Sequence, residues 1–161
     1  MAYEPLLKRN VIRPHELDQR QLRKRVEEML ILTQSHLTDA QASGLSVDAH
    51  HGFAYGVARV AAELVMLAEG FRPGRSGSNH VNVFIFLRHV AEGRWAVLAR
   101  RFDRARKKRN VAEYERAGTV TETELAEMQQ LAAAFLGEVS DWLAKHHPEL
   151  VPDPPPSSEH P

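Results

Sequence analysis

Apolar residues recur at intervals of three and four along most of this chain, and that period predicts helices. From His15 to about Ser43, the residues Leu17, Leu22, Val26, Met29, Leu30, Thr33 and Leu37 fall near one helical face. Pro14 suits the first position of such a helix, and Gly44 closes it. Ser46 can cap a second helix whose first turn carries Asp48 against the positive end of the helix dipole. There Phe53, Val57, Val60, Leu64, Leu67 and Phe71 form a continuous core-facing stripe, and Ala54, Ala58, Ala61 and Ala62 beside it let another helix approach closely. Gly70 is placed to stop this helix, and Phe71–Ser78 reads as a loop by composition.

Asn79–Ala91 fits two periods, because Val81, Val83, Ile85 and Leu87 also alternate like a strand. A lone strand would leave its backbone unpaired, and nothing else in the chain offers a period of two, so a helix is expected. After Gly93, the residues Trp95, Leu98, Phe102 and Ala105 define another helix, and Tyr114–Val120, with Gly118, reads as a connection. Thr121 and Glu124 have the spacing of a capping box. They open a last long helix with Leu125, Met128, Leu131, Ala132, Phe135, Val139 and Trp142 inward. No repeat is evident. The expected fold is all-α, an up-and-down bundle of four to five antiparallel helices over residues 1–147. Six of the nine prolines lie in Pro148–Pro161, which predicts a disordered tail there.

Composition narrows the chemistry. At 161 residues a single core suffices, since folding buries roughly 70% of the unfolded surface. The absence of cysteine excludes thiol catalysis, disulfides and thiolate zinc sites, and favours a cytoplasmic setting. No apolar run approaches the ~18 residues of a membrane span, and charge interrupts the N-terminus before a signal-peptide core, so neither membrane nor export is expected. Neither a metal nor a cofactor is expected: the adjacent pairs His50-His51 and His146-His147 point to different sides of a helix, and no two histidines stand four apart. Gly74-Arg-Ser-Gly77 is a weak phosphate-loop mimic, lacking the Gly-Lys-Ser/Thr ending and a preceding strand.

Charge is balanced overall, with 21 basic and 21 acidic residues, yet seven of the ten positions from Arg100 to Arg109 are Arg or Lys. Trp95, Phe102 and Arg109 are spaced by seven and drift only about 20° per step, which turns Arg109 inward. A buried guanidinium needs an anion, a carboxylate or a subunit boundary, and an ion pair with Glu113 or another carboxylate is the ordinary solution. Arg101, Arg104 and Lys108 cluster on another side, where solvated charge is the simplest account.

The string Arg106-Lys-Lys-Arg109-Asn110-Val-Ala-Glu113-Tyr114 resembles the signature of the HEPN superfamily, the nucleotide-binding helical domains of higher eukaryotes and prokaryotes. That signature is an Arg, often followed by Asn, then a His after four to six residues; here Tyr114 takes the place of the His, as in bacterial branches with an acidic residue and Tyr. Ala54-Tyr55, and Ala68-Glu-Gly70-Phe71-Arg72 followed by Asn79-His80, are similar to further phrases of the family. The resemblance spans about Leu45–Tyr114. It implies an RNA-linked role, often as the toxin beside a nucleotidyltransferase-type antitoxin, and a metal-independent ribonuclease site assembled across a homodimer. Carried over, Arg109 steadies charge growing on the phosphate, Asn110 orients it, and Tyr114 stands where the base would be. A phenol is only about 0.1% ionised at neutral pH, so Tyr114 is a poor base; it is instead a donor, or a target for nucleotidylation. Arg101, Arg104, Arg106, Lys107 and Lys108 are the expected phosphate contacts of such a protein. Tyr55 and Trp95 are expected to pack rather than stack on bases; His80 is expected to start a helix and His89 to lie at the surface, either being able to replace the missing base. The competing reading is a non-catalytic homodimeric scaffold held together through Arg109 and Tyr114.

Overall fold

The computed structural model describes residues 2–114 and 117–153, with the side chains of Glu113 and Tyr114 outside the described set. A short helix α1 (Glu4–Lys8) and a strand β1 (Ile12–Pro14) lead into α2 (Gln19–Asp39) and α3 (Val47–Ala68). Strand β2 (Phe71–Pro73), α4 (Asn79–Leu87), a 3-10 turn (Val90–Gly93), α5 (Ala96–Tyr114), α6 (Glu122–His146) and a second 3-10 turn (Pro148–Leu150) follow. The architecture is an all-α bundle, with one small sheet added to it.

Local chemistry accounts for the helix ends. Ser46 accepts from the Ala49 N–H at 3.1 Å and caps α3; Gly70, at φ 100°, follows its last turn where a side chain would be strained. Thr121 and Glu124 form the reciprocal capping box of α6. Asn79–Leu87 is helical, capped by Ser78. The start of α2 differs from expectation. Pro14 belongs to β1, and a capping box of Asp18 and Gln21 opens the helix four residues later. Asp18 is what the apolar spacing concealed, because Leu17 ahead of it is 37% exposed and plays no part in the core.

The core is built around α3. Its residues Ala54–Ala68 are buried apart from half-buried Arg59 and Glu63, and it packs against α2, α4, α5 and α6. One apolar stripe with an alanine shoulder was expected. From Ala54 onward the helix is instead covered around most of its circumference, leaving only Arg59 and Glu63 half-buried, and the alanines are what permit four neighbours. Aromatic rings fill the junction of α4, α5 and α6, where Phe84, Phe102 and Phe135 meet with centroids 5.9 and 5.2 Å apart, and Trp95 stands edge-on to Phe135 at 5.5 Å.

A two-stranded sheet between distant segments was not anticipated. β1 and β2 pair antiparallel with Ile12 opposite Pro73, Arg13 opposite Arg72 and Pro14 opposite Phe71. Three residues per strand are too few to display an alternation, and Phe71–Ser78, read as loop, supplies one of the two. Disorder expected from residue 148 onward does not hold for Pro148–Leu150, a 3-10 turn whose Leu150 is 1% exposed within the core cluster. His147 Nε2 lies 3.0 Å from Glu69 Oε1, and the Tyr3 hydroxyl donates to Glu69 Oε2 at 3.1 Å, so Glu69 ties both chain ends to α3. Pro154–Pro161, most of the expected tail, lie outside the described residues.

Candidate functional site

The position of Arg109 follows from its helix. Trp95 and Phe102 are 2% and 0% exposed, and one heptad further on the stripe reaches the bundle's edge, where Arg109 is half-buried. Its guanidinium carbon sits 5.4 Å from the centre of the Tyr55 ring, a cation–π contact that holds the charge beside α3. Tyr55 and Trp95 are both core residues, as packing demands.

Arg109 forms one wall of an open cleft of about 480 Å³. The N-terminal half of α3 supplies the floor, with Asp48, Gly52, Phe53, Tyr55, Gly56 and Arg59, and His36 of α2 closes the far side. The His36 ring lies against α3 at Gly56, where a Cβ would stand 3.4 Å from it, in ordinary contact. His36 in turn stands 6.1 Å from the Phe53 ring. Asp48 accepts from the Gly118 N–H at 2.7 Å, and this anchors the connection between α5 and α6 beside the cleft. Arg59 donates to Glu63 at 3.1 Å, one turn along α3.

Behind Tyr55 lies the feature the sequence did not announce. The Tyr55 hydroxyl and His80 Nδ1 are 3.1 Å apart, joining α3 to the first turn of α4. Burial, and then the positive fields of Arg59, Arg109 and Arg106, push His80 down to about 4, so its imidazole is neutral at physiological pH. Burial pushes the Tyr55 phenol up to about 12, although the same three arginines pull it down, so the hydroxyl keeps its proton. Three cations therefore act on one spot. His80 is both a helix-start residue and part of this cluster, while His89 is exposed.

The remaining expected contacts divide between two sides of α5. Arg106 turns toward Tyr55 and His80 and is steadied by Asp103 at 2.9 Å, which also meets exposed Lys107 at 3.7 Å. Arg101, Arg104 and Lys108 line a different cleft of about 360 Å³ with His51, Glu124 and Glu127, where Lys108 reaches Glu124 at 3.5 Å. The basic run is thus no single patch, because carboxylates of α6 face half of it. Asn110 is half-buried on the turn after Arg109. The side chain of Tyr114, and of Glu113, the named ion-pair candidate, lies outside the described residues.

Sequence reasoning missed Arg59, and a signal for it existed. It is the only Lys or Arg in α3 and falls four residues from Tyr55 on the same face. Among the described residues no group of three or more His, Asp or Glu is placed to hold a metal ion, and no helix is long and apolar enough to cross a membrane. Comparison of the chain with protein-family models, with curated proteins and with solved structures gave no match to any of them.

Proposed function

We propose that the chain is an HEPN-like RNA-binding protein that seats a phosphodiester against Arg109, with metal-independent cleavage as the reaction of that site. The observation that carries this reading is the Arg109 guanidinium, laid over Tyr55 on the wall of an open cleft, with Arg59 and Arg106 raising the potential around it. Fixed cations of this kind favour an anion without reorganising when it arrives.

In the cleavage step the ribose hydroxyl beside the phosphate attacks phosphorus, and the bond to the next nucleotide's oxygen breaks, leaving a cyclic phosphate. A base takes the hydroxyl proton, and the departing oxygen gains one. Arg109 stabilises the charge that grows on the phosphoryl oxygens, and Asn110 orients the group. His80, neutral and held by Tyr55, is the imidazole beside this cluster and takes the acceptor role in this reading, as a base weakened by its burial and by the neighbouring arginines. On this reading the working unit is a homodimer and its partner a nucleotidyltransferase-type antitoxin, as the resemblance implies.

The test is incubation of purified protein with mixed RNA in the presence of chelator, alongside retardation of RNA at low salt. The parent protein is expected to retard RNA and to release fragments ending in cyclic phosphate, and Arg109→Ala to lose cleavage and about tenfold in affinity. If the parent neither cuts nor retards RNA, the reading fails and the scaffold alternative replaces it.

A further inference from the structure

Within the small sheet, Arg13 and Arg72 stand directly opposite each other. Like charges in such register are destabilising, so a fold retains them at a cost. Arg13 feels this: burial first, then the fields of Arg72 and Arg75, hold it below the usual arginine range, with Glu16 pulling the other way. Among the described residues no ion pair joins any of the three arginines to a carboxylate. Arg13 is nevertheless fixed, its Nε donating to the Pro73 carbonyl at 3.2 Å.

Arg75 is held out by a loop clamped on both sides of it. The Gly74 N–H donates to Val11 O at 2.8 Å, and the Ser76 N–H and hydroxyl donate to Asn10 O at 3.1 and 2.8 Å. From behind, the buried Asn82 amide donates to the Gly74 and Ser76 carbonyls. Exposed Arg72 and Arg75 are therefore presented on rigid backbone, so that gripping a ligand costs their side-chain freedom but little backbone entropy. The same loop runs into Ser78, the cap of α4, and then His80. His80 is five positions after Arg75, so their Cα atoms are at most about 18 Å apart.

We propose that the sheet and its loop, through Arg13, Arg72 and Arg75, form a second phosphate subsite that holds the backbone of a single RNA strand whose scissile group lies at Arg109. This inference rests on the RNA reading above. An acidic protein segment is the other polyanion such a surface could take; continuity with the cationic cluster around His80 favours the nucleic acid.

The test compares binding of an oligouridylate of about 12 nucleotides with that of a dinucleotide, over a range of salt. The double variant Arg72→Gln/Arg75→Gln is expected to bind the long oligomer about tenfold less tightly at physiological salt, with a salt slope shallower by about 1.4, and to bind the dinucleotide unchanged. Arg109→Ala is expected to weaken both. The charge-retaining pair Arg72→Lys/Arg75→Lys should keep the parent slope, and thermal melting should show the Gln pair folded and no less stable, since an opposed charge has been removed. Unchanged binding of the long oligomer by the Gln pair, while Arg109→Ala weakens it, overturns the subsite and leaves the RNA reading intact. Loss by the Gln pair of binding to polyglutamate, with RNA binding unaltered, assigns the surface to an acidic protein and also overturns it. Failure of the parent to bind either RNA removes the reading on which the subsite rests.

Discussion

Histidine 80 carries an acid sensitivity that belongs to one side chain and its surroundings. Its folded value of about 4 lies below the roughly 6.5 of an unfolded histidine, so between those limits the unfolded chain binds the extra proton. Stability is then fully present above about pH 6.5 and is lost as pH falls toward 4; burial lowers His36 and His51 as well, which adds to the loss in the same direction. The melting temperature is expected to drop between about pH 7 and pH 5, and His80→Asn to flatten that drop. A variant whose profile matches the parent's would place the titration at His36 and His51 instead. At this scale the sequence was only partly legible. A seven-residue spacing was enough to bring Arg109 to the inner face of α5. Nothing in the chain could pair Tyr55 with His80, since their contact depends on how α4 lies across α3, a matter of tertiary packing between residues 25 positions apart.

At the scale of elements, the joint between Asn10–Val11 and Gly74 is the least forgiving. A Cβ on Gly74 would stand 2.0 Å from the Asn10 carbonyl oxygen and 2.8 Å from the Val11 carbonyl carbon, both backbone atoms that cannot swing aside. Asn10 already holds φ 56°, a conformation that asparagine tolerates better than most residues. Gly74→Ala is expected to cost about 3 kcal/mol by forcing the two segments apart, and chemical denaturation will read it as a lowered midpoint. The long helices could be read ahead of the structure because each repeats its period over several turns and because Ser46, Ser78 and Thr121 are side chains that cap. The sheet could not. Its two strands lie about sixty positions apart and each is too short to show an alternation.

For the molecule as a whole, the core extends past the last long helix into Pro148–Leu150. Leu150 fills part of the core beyond the last helix, in a segment whose prolines argued for disorder because they disfavour helix without forbidding a buried anchor. Leu150→Ala is expected to lower stability by about 2–4 kcal/mol, seen as a shifted denaturation midpoint at unchanged slope.

The enclosure of α3 governs how the bundle can come apart. Every outer helix covers a share of the same central rod, so lifting any one of them wets apolar surface that no rearrangement of the others can dry again. Fraying from the rim gains little before the whole assembly is committed, and unfolding is accordingly cooperative rather than piecemeal. The arginine cleft and the imidazole behind it take their positions from that rod, and they are lost with it in one event.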